Sequence, residues 1–282
     1  MWSFYDELYM GIPSGIRVEG CVVGELWTTV RANGNIGVAR TLGDTGADRC
    51  ALAQSMVGRF LRDVANVLQW DSLLRASIGV AAMNAFYNRP ERIAEFQDPS
   101  EFGAGLGGRV AVIGDLPGLT ADLREFCRVE ALPLPESEQL SAEHEAAMTA
   151  DFVFISGDAL TNRTLPALLA KAGENARVSL TGVSVPAAPV LFAFGNPIHN
   201  LTGVYAAIPA TVEAAAQLGL PDLAPGTRPF SIDPEQPVYL HRRPEVSRYQ
   251  SSPYQASKFN SAFNPGEGKR YDRDSWSPIF KG

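Results

Sequence analysis

Histidine and cysteine are scarce in this chain, with three of each in 282 residues. Cys21, Cys50 and Cys127 are odd in number and far apart, which excludes a disulfide framework and suits a reducing cytoplasm. His144, His199 and His241 show no HxH or HExxH spacing, and no CxxC occurs. No tightly bound metal is therefore expected. No apolar run approaches the roughly 18 residues of a membrane helix, so no membrane partner is expected. The opening MWSFYDELYMG carries acids and no basic cluster, unlike a signal peptide. A cytoplasmic location is expected. Positive charge is also short: 24 Lys+Arg against 31 Asp+Glu leave −7, which argues against a nucleic-acid partner. Walker A, GxGxxG and GxSxG sequences are absent. That excludes P-loop ATP use, a standard dinucleotide fingerprint and a hydrolase elbow.

What is present is 45% hydrophobic residues, enough for a sizeable core in one large or two ordinary domains. The organising stretch is Arg109 to Gly118, RVAVIGDLPG. Its apolar run reads as a strand of a parallel sheet covered on both faces. Gly114-Asp115 ends the run and Pro117-Gly118 opens a helix over 119–126, a geometry that can receive an anion or a polar ligand edge.

Before it, residues 1–97 read as an α+β module. A helix over 2–9 precedes β-rich sequence from Ile16. Ala32-Asn33-Gly34-Asn35 reads as a hairpin turn, because Asn-Gly tolerates positive φ. Asp48 is the expected N-cap of a helix over 49–61, and Asp71-Ser72 of a helix over 73–87. Asp98 to Gly108, with four glycines in its last six residues, reads as a linker over 98–108. Residues 109–224 then alternate strands (109–114, 128–132, 151–156, 177–181, 199–207) with helices (119–126, 136–149, 164–172, 189–194, 210–218). This alternation predicts a doubly wound parallel sheet, whose ligand sits at the carboxyl ends of the strands.

From Pro225 onward the character changes. Residues 225–282 hold nine Lys/Arg against six Asp/Glu, eight of the 20 prolines and nine aromatics. The segment reads either as an extended arm lying on its own or a partner protomer's surface, or as simple disorder. A homo-oligomer is expected, crossing of the arm between protomers being one of these alternatives.

Loops at the carboxyl edge supply the candidates. Gly114, Asp115 and Leu116 form the first turn, which is otherwise a plain strand-to-helix turn. Glu130, 16 residues beyond Gly114, is an acid that can accept from both hydroxyls of a ribose. Ser156, Gly157, Asp158 and Asn162 follow the DFVFIS strand, where Asn162 equally suits a helix cap. Thr181 and Ser184 lie in a Gly/Pro loop. His144 reads as part of a solvated helical face, and His199 as structural or within reach of the carboxyl edge.

Several of these stretches carry a resemblance. GDLPG, ADFVFISGDALTNRTLPALL and TGVSVPAAPVLFAFG are similar to the family named for heavy-metal chelation, a Rossmann-like domain of unknown function. IPSGIRVEGCVVGELWTTV, GVARTL and ASIGVAAMNAFYN resemble its usual partner, an enolase N-terminal-like domain. The likeness covers roughly residues 5–220. It implies a site between two domains, partial likeness to methyltransferase-type folds, and a role with small molecules that bind metals.

The inter-domain site adds Arg40 and Thr41 at the end of the hairpin and Asn84 on the last helix. Arg40 can take a substrate carboxylate in a bidentate fork. A buried Asn84 either ties hairpin to helix or contacts ligand. The expected function is a small-molecule enzyme binding an adenosyl ligand, S-adenosylmethionine above others, at Gly114, Asp115, Leu116, Glu130, Ser156 and Gly157. Its substrate would meet Arg40, Thr41, Asn84, Asn162, Thr181 and Ser184. Asp158, Asp115 and His199 are the candidates for proton transfer. The competing reading is a non-catalytic binder of a metal or metal chelate.

Overall fold

The computed structural model describes residues 2–43, 46, 48–66, 72–90, 108–192 and 198–233. The linker at 98–108 (save Gly108) and the arm beyond 233 lie outside the described residues. Among the described residues no helix is long and apolar enough to cross a membrane.

The first module is a three-stranded antiparallel meander with helices on one side. Helix α1 spans Trp2–Met10, and strands β1, β2 and β3 span Val18–Val23, Trp27–Ala32 and Asn35–Arg40. The β2–β3 turn is the expected one: Asn33 and Gly34 have φ 51 and 74, and Ala32 pairs with Asn35. Alternation sets the two faces of β3. Ile36 and Val38 face a cluster with Val212 and Ala215, while Ala39 joins the main core.

Helix α2, Arg49–Met56, is shorter than the 49–61 expected. Val57 turns extended, Gly58 adopts φ +82, and its N–H donates to Val18 O at 2.8 Å. Pairing with β1 wins over helix continuation. Asp48 makes no side-chain cap bond, a second correction. Helix α3 follows at Leu61–Asn66.

Helix α4, Leu73–Tyr87, is capped by Ser72, whose Oγ accepts from Arg75 N. Every residue from Ala76 to Tyr87 is buried. A helix apolar all round must be covered all round, and α4 lies between the meander and the second module. Its small residues let backbones approach: a Cβ on Gly37 would run into Ala85 N and Ala81 O.

The second module is a six-stranded sheet in the order β5-β4-β6-β7-β8-β9. Strands β4 to β8 are Val110–Ile113, Val129–Leu132, Phe152–Ser156, Arg177–Thr181 and Ile198–Ala206, all parallel. Strand β9, Thr227–Ile232, pairs antiparallel with β8 and closes the edge. The fold is thus α/β: an α+β module followed by a Rossmann-like parallel sheet. Central β4 and β6 are buried throughout, whereas edge strand β5 is half exposed. The helix Pro117–Arg124 covers one face of β4 and β6 through Leu119 and Leu123. The other face joins α1 and α4 in one core.

Two expectations change here. Residues 227–232, read as the start of the arm, are the sixth strand. Phe230 is fully buried there, and Asn200 Nδ2 donates to Ser231 Oγ at 2.9 Å. The helix expected over 136–149 is only Ala142–Ala147. The carbonyls of Pro133 and Pro135 are taken by His144 Nε2 (2.9 Å) and Asn162 Nδ2 (3.0 Å), which hold the preceding segment out of a helix.

Two asparagines and one arginine bind the modules. Asn88 Nδ2 donates to Val185 O (2.9 Å) and Val204 O (3.0 Å), and its Oδ1 accepts from Ala187 N (2.7 Å). Asn84 Nδ2 donates to Val38 O (2.7 Å) and Val183 O (3.3 Å). Arg31 Nε donates to Glu213 Oε1 at 3.0 Å, from β2 to the helix Pro209–Leu218.

Candidate functional site

The chain runs from β4 outward to β5, then returns across β4 to β6, so the strand order reverses between β4 and β6. In open α/β sheets ligands bind at such a point, outside the carboxyl ends. Gly114 and Ser156 leave β4 and β6 here. Gly114 has φ +108, and a Cβ on it would collide with Ser156 Cβ and approach Leu134. Glycine is required at this turn by backbone conformation and by packing together.

The first module reaches this point through the end of β3. Arg40 Nη1 lies 2.7 Å from Asp115 Oδ2 and 3.6 Å from Asp158 Oδ2. Its backbone N–H donates to Ser184 Oγ at 3.0 Å. Ser184 Oγ in turn donates to Asp158 Oδ1 at 2.7 Å. Asp158 N donates to Ser156 Oγ at 3.3 Å. Four loops from two modules thus meet around one carboxylate.

Asp158 and Asp115 sit in opposite environments. Asp158 is 7% exposed, while the Asp115 side chain is 62% exposed. Burial raises the Asp158 pKa above the ordinary aspartate range, and the neighbouring Asp115 charge adds to that. Ser184, Arg40 and Ser156 act the other way without cancelling it. A carboxyl whose pKa is raised, beside an arginine at the carboxyl edge of the sheet, is suited to giving and taking a proton.

The structure brings together Arg40, Gly114, Asp115, Ser156, Gly157, Asp158 and Ser184. It separates others. His199 lies at the start of β8, which runs parallel to β7, so it is at the opposite end of the strands from their carboxyl edge. Its Nδ1 accepts from Val178 N at 3.2 Å. It cannot transfer a proton at Asp158. Glu130 pairs in register with Ala111, three residues before Gly114. Its carboxylate is 3.9 Å from Arg109 at the start of β4, so it does not reach a ribose at the carboxyl edge.

Several expected ligand contacts are engaged in structure. Leu116 is buried among Val112, Leu119 and Phe154. Thr41 Oγ1 pairs with Thr28 Oγ1 at 2.9 Å. Thr181 Oγ1 meets Ser179 Oγ at 3.0 Å, within a buried network that includes Asn200 and Thr202. Asn162 Oδ1 accepts from Thr164 Oγ1 at 2.7 Å, in addition to the Pro135 bond. Asn84 ties hairpin and loop through Nδ2, and its buried Oδ1 has no donor.

His144, read as solvated, is buried between Ser141 Oγ (2.8 Å at Nδ1) and Pro133 O. A carbonyl can only accept, so Nε2 donates to Pro133 O. The meeting of Arg40 with Asp115 had no signal in spacing, the two being 75 residues apart. Among the described residues no three His, Cys, Asp or Glu side chains gather as a metal-ligand set.

Comparison with known proteins places this geometry. Two family models match, DUF4213 over residues 5–87 and DUF364 over 98–220, both described as "Putative heavy-metal chelation". The chain belongs to that family. A family member of unknown function from Desulfitobacterium hafniense DCB-2 has a crystal structure similar to this one. It shows a TM-score of 0.73 and 27% identity, over 83% of this chain and 98% of that one. Another of unknown function, from Pyrococcus horikoshii, matches at TM-score 0.65 and 19% identity, over 82% and 98%, which shows the fold alone. No curated protein matches the chain. In this chain the two matched segments meet at the Arg40–Asp158 cluster.

Proposed function

We propose that this chain is an enzyme of small-molecule metabolism working at the switch point between β4 and β6. Asp158 handles the proton, Ser184 orients it, and Arg40 holds the anionic part of the substrate. The observation that carries the reading is the buried Asp158 carboxyl, faced by an arginine from the other module. Burying an ionisable group costs stability unless it is compensated, so such a group at a switch point of the sheet points to chemistry. The family description directs the reading toward molecules that bind metals. The adenosyl ligand we propose is S-adenosylmethionine. Its support is the strand order and the open edge at Gly114–Asp115, not Glu130. The reaction class is group transfer or cyclisation, in which positioning and electrostatics supply most of the rate.

Calorimetric titration of the whole chain with S-adenosylmethionine and S-adenosylhomocysteine tests the ligand. Binding in the micromolar range is expected. No heat at millimolar ligand, by the native protein, rejects the adenosyl assignment.

The family description favours a second reading, a non-catalytic binder of a metal or its chelate. Elemental analysis of the purified chain separates the two: stoichiometric metal supports the binder, and metal-free protein counts against it.

A further inference from the structure

We propose that Arg40 and Asp115 together form a receptor for the α-amino-acid end of the ligand. Arg40 takes the carboxylate and Asp115 the ammonium. This rests on the switch point being the ligand site, and it names the chemical class that the site accepts.

The first observation is the juxtaposition itself. A guanidinium and a carboxylate stand 2.7 Å apart at the carboxyl edge of the sheet, one from each module. An α-amino acid carries one charge of each sign on adjacent atoms. A contiguous cation and anion are its electrostatic complement. A ligand with a carboxylate alone gains Arg40 but meets Asp115. A ligand with an ammonium alone gains Asp115 but meets Arg40. Only the zwitterion satisfies both.

The second observation is that the pair is cheap to open. The two side chains are 39% and 62% exposed, and exposed ion pairs contribute little to stability. The backbones beneath them are fixed. Arg40 ends β3 with its N–H on Ser184 Oγ, and Asp115 sits in a turn closed by Leu116 N to Gly114 O at 3.1 Å. Ligand entry therefore swaps partners without moving either loop. Asp158 lies directly behind, 3.6 Å from the same guanidinium nitrogen, where a reacting centre next to the amino-acid end would arrive.

The test is calorimetric titration of the whole chain with two probe sets. The first is L-methionine, 4-(methylthio)butanoate (carboxylate only) and 3-(methylthio)propylamine (amine only). The second is S-adenosylhomocysteine and 5′-methylthioadenosine, which share the nucleoside but not the amino-acid end. We expect methionine alone to bind among the first set. S-adenosylhomocysteine should bind at least about tenfold more tightly than methylthioadenosine, the scale of one charge-assisted contact. Arg40→Gln and Asp115→Asn should each erase that difference, with far-UV circular dichroism and thermal midpoints like those of the native chain reporting that the variants are folded. If either single-charge analogue binds as tightly as methionine, or if the two nucleosides bind equally, the receptor is overturned. Methionine binding that depends on Arg40, with neither nucleoside bound, keeps the receptor and rejects the adenosyl ligand. Methylthioadenosine binding without the amino-acid increment does the reverse. No binding by any probe rejects both.

Discussion

Ser184 Oγ donates to Asp158 Oδ1 at 2.7 Å while accepting from the Arg40 backbone N–H at 3.0 Å. One hydroxyl thereby links a loop of the second module, a buried carboxyl and the last strand residue of the first module. Removing it leaves a half-buried N–H without its acceptor and Asp158 Oδ1 without its serine donor. Ser184→Ala should cost roughly 1–3 kcal/mol, read as a lower urea midpoint at an unchanged slope. A midpoint equal to that of the native chain would show that water replaces the hydroxyl.

Asp158 sets a pH dependence of stability. Its folded pKa is raised, above the unfolded value of about 4. Between those two values the folded chain holds a proton that the unfolded chain has lost. Its contribution is therefore fully present below about pH 4 and is lost as pH rises through the folded pKa. Asp158→Asn cannot ionise and should remove this decline. Urea midpoints from pH 4 to 8 check it; parallel profiles for the two proteins would contradict the assignment.

Asn88 satisfies three buried backbone groups across the module boundary. Alanine leaves two carbonyls and one N–H unpaired. At about 1–3 kcal/mol for each buried group left unsatisfied, Asn88→Ala should lose about 3 kcal/mol or more. Denaturant titration measures it, and a loss under about 1 kcal/mol would mean that the modules separate from one another cheaply.

Phe230 is fully buried on β9, and its ring stands where a Cβ of Gly203 would go. Phe230→Ala should cost roughly 3–5 kcal/mol, as large-to-small core changes do. Thermal denaturation tests whether the sheet depends on a strand beyond residue 226; an unchanged Tm would return that segment to the arm.

Thiol reactivity should follow burial. Cys50 is exposed, whereas burial pushes the Cys21 thiol up to about 12 and raises Cys127 as well. Only the thiolate reacts, so at pH 8 Cys21 should label far more slowly than Cys50. Peptide mass spectrometry after timed alkylation reads the order, and fast labelling of Cys21 would refute its burial.

Local pattern determined much of this chain. The run Val110–Ile113, the Asn33-Gly34 turn and the helix Leu73–Tyr87 follow from periodicity and turn chemistry that neighbours a few residues away enforce. Asp158 and Ser184 were legible as polar residues in loops after strands. What pattern could not decide was height and partner. Glu130 and His199 each belong to the expected strand, yet parallel register puts one below the edge and the other at its far end. Residues 136–141 have helical composition, but carbonyl contacts from His144 and Asn162 hold them out of a helix. Strand β9 has a proline and no alternation, so only pairing with β8 makes it a strand. Arg40 meets Asp115 and Asp158 because Gly37 lets β3 settle on α4. That close approach is a property of two packed backbones, and no spacing along one chain encodes it.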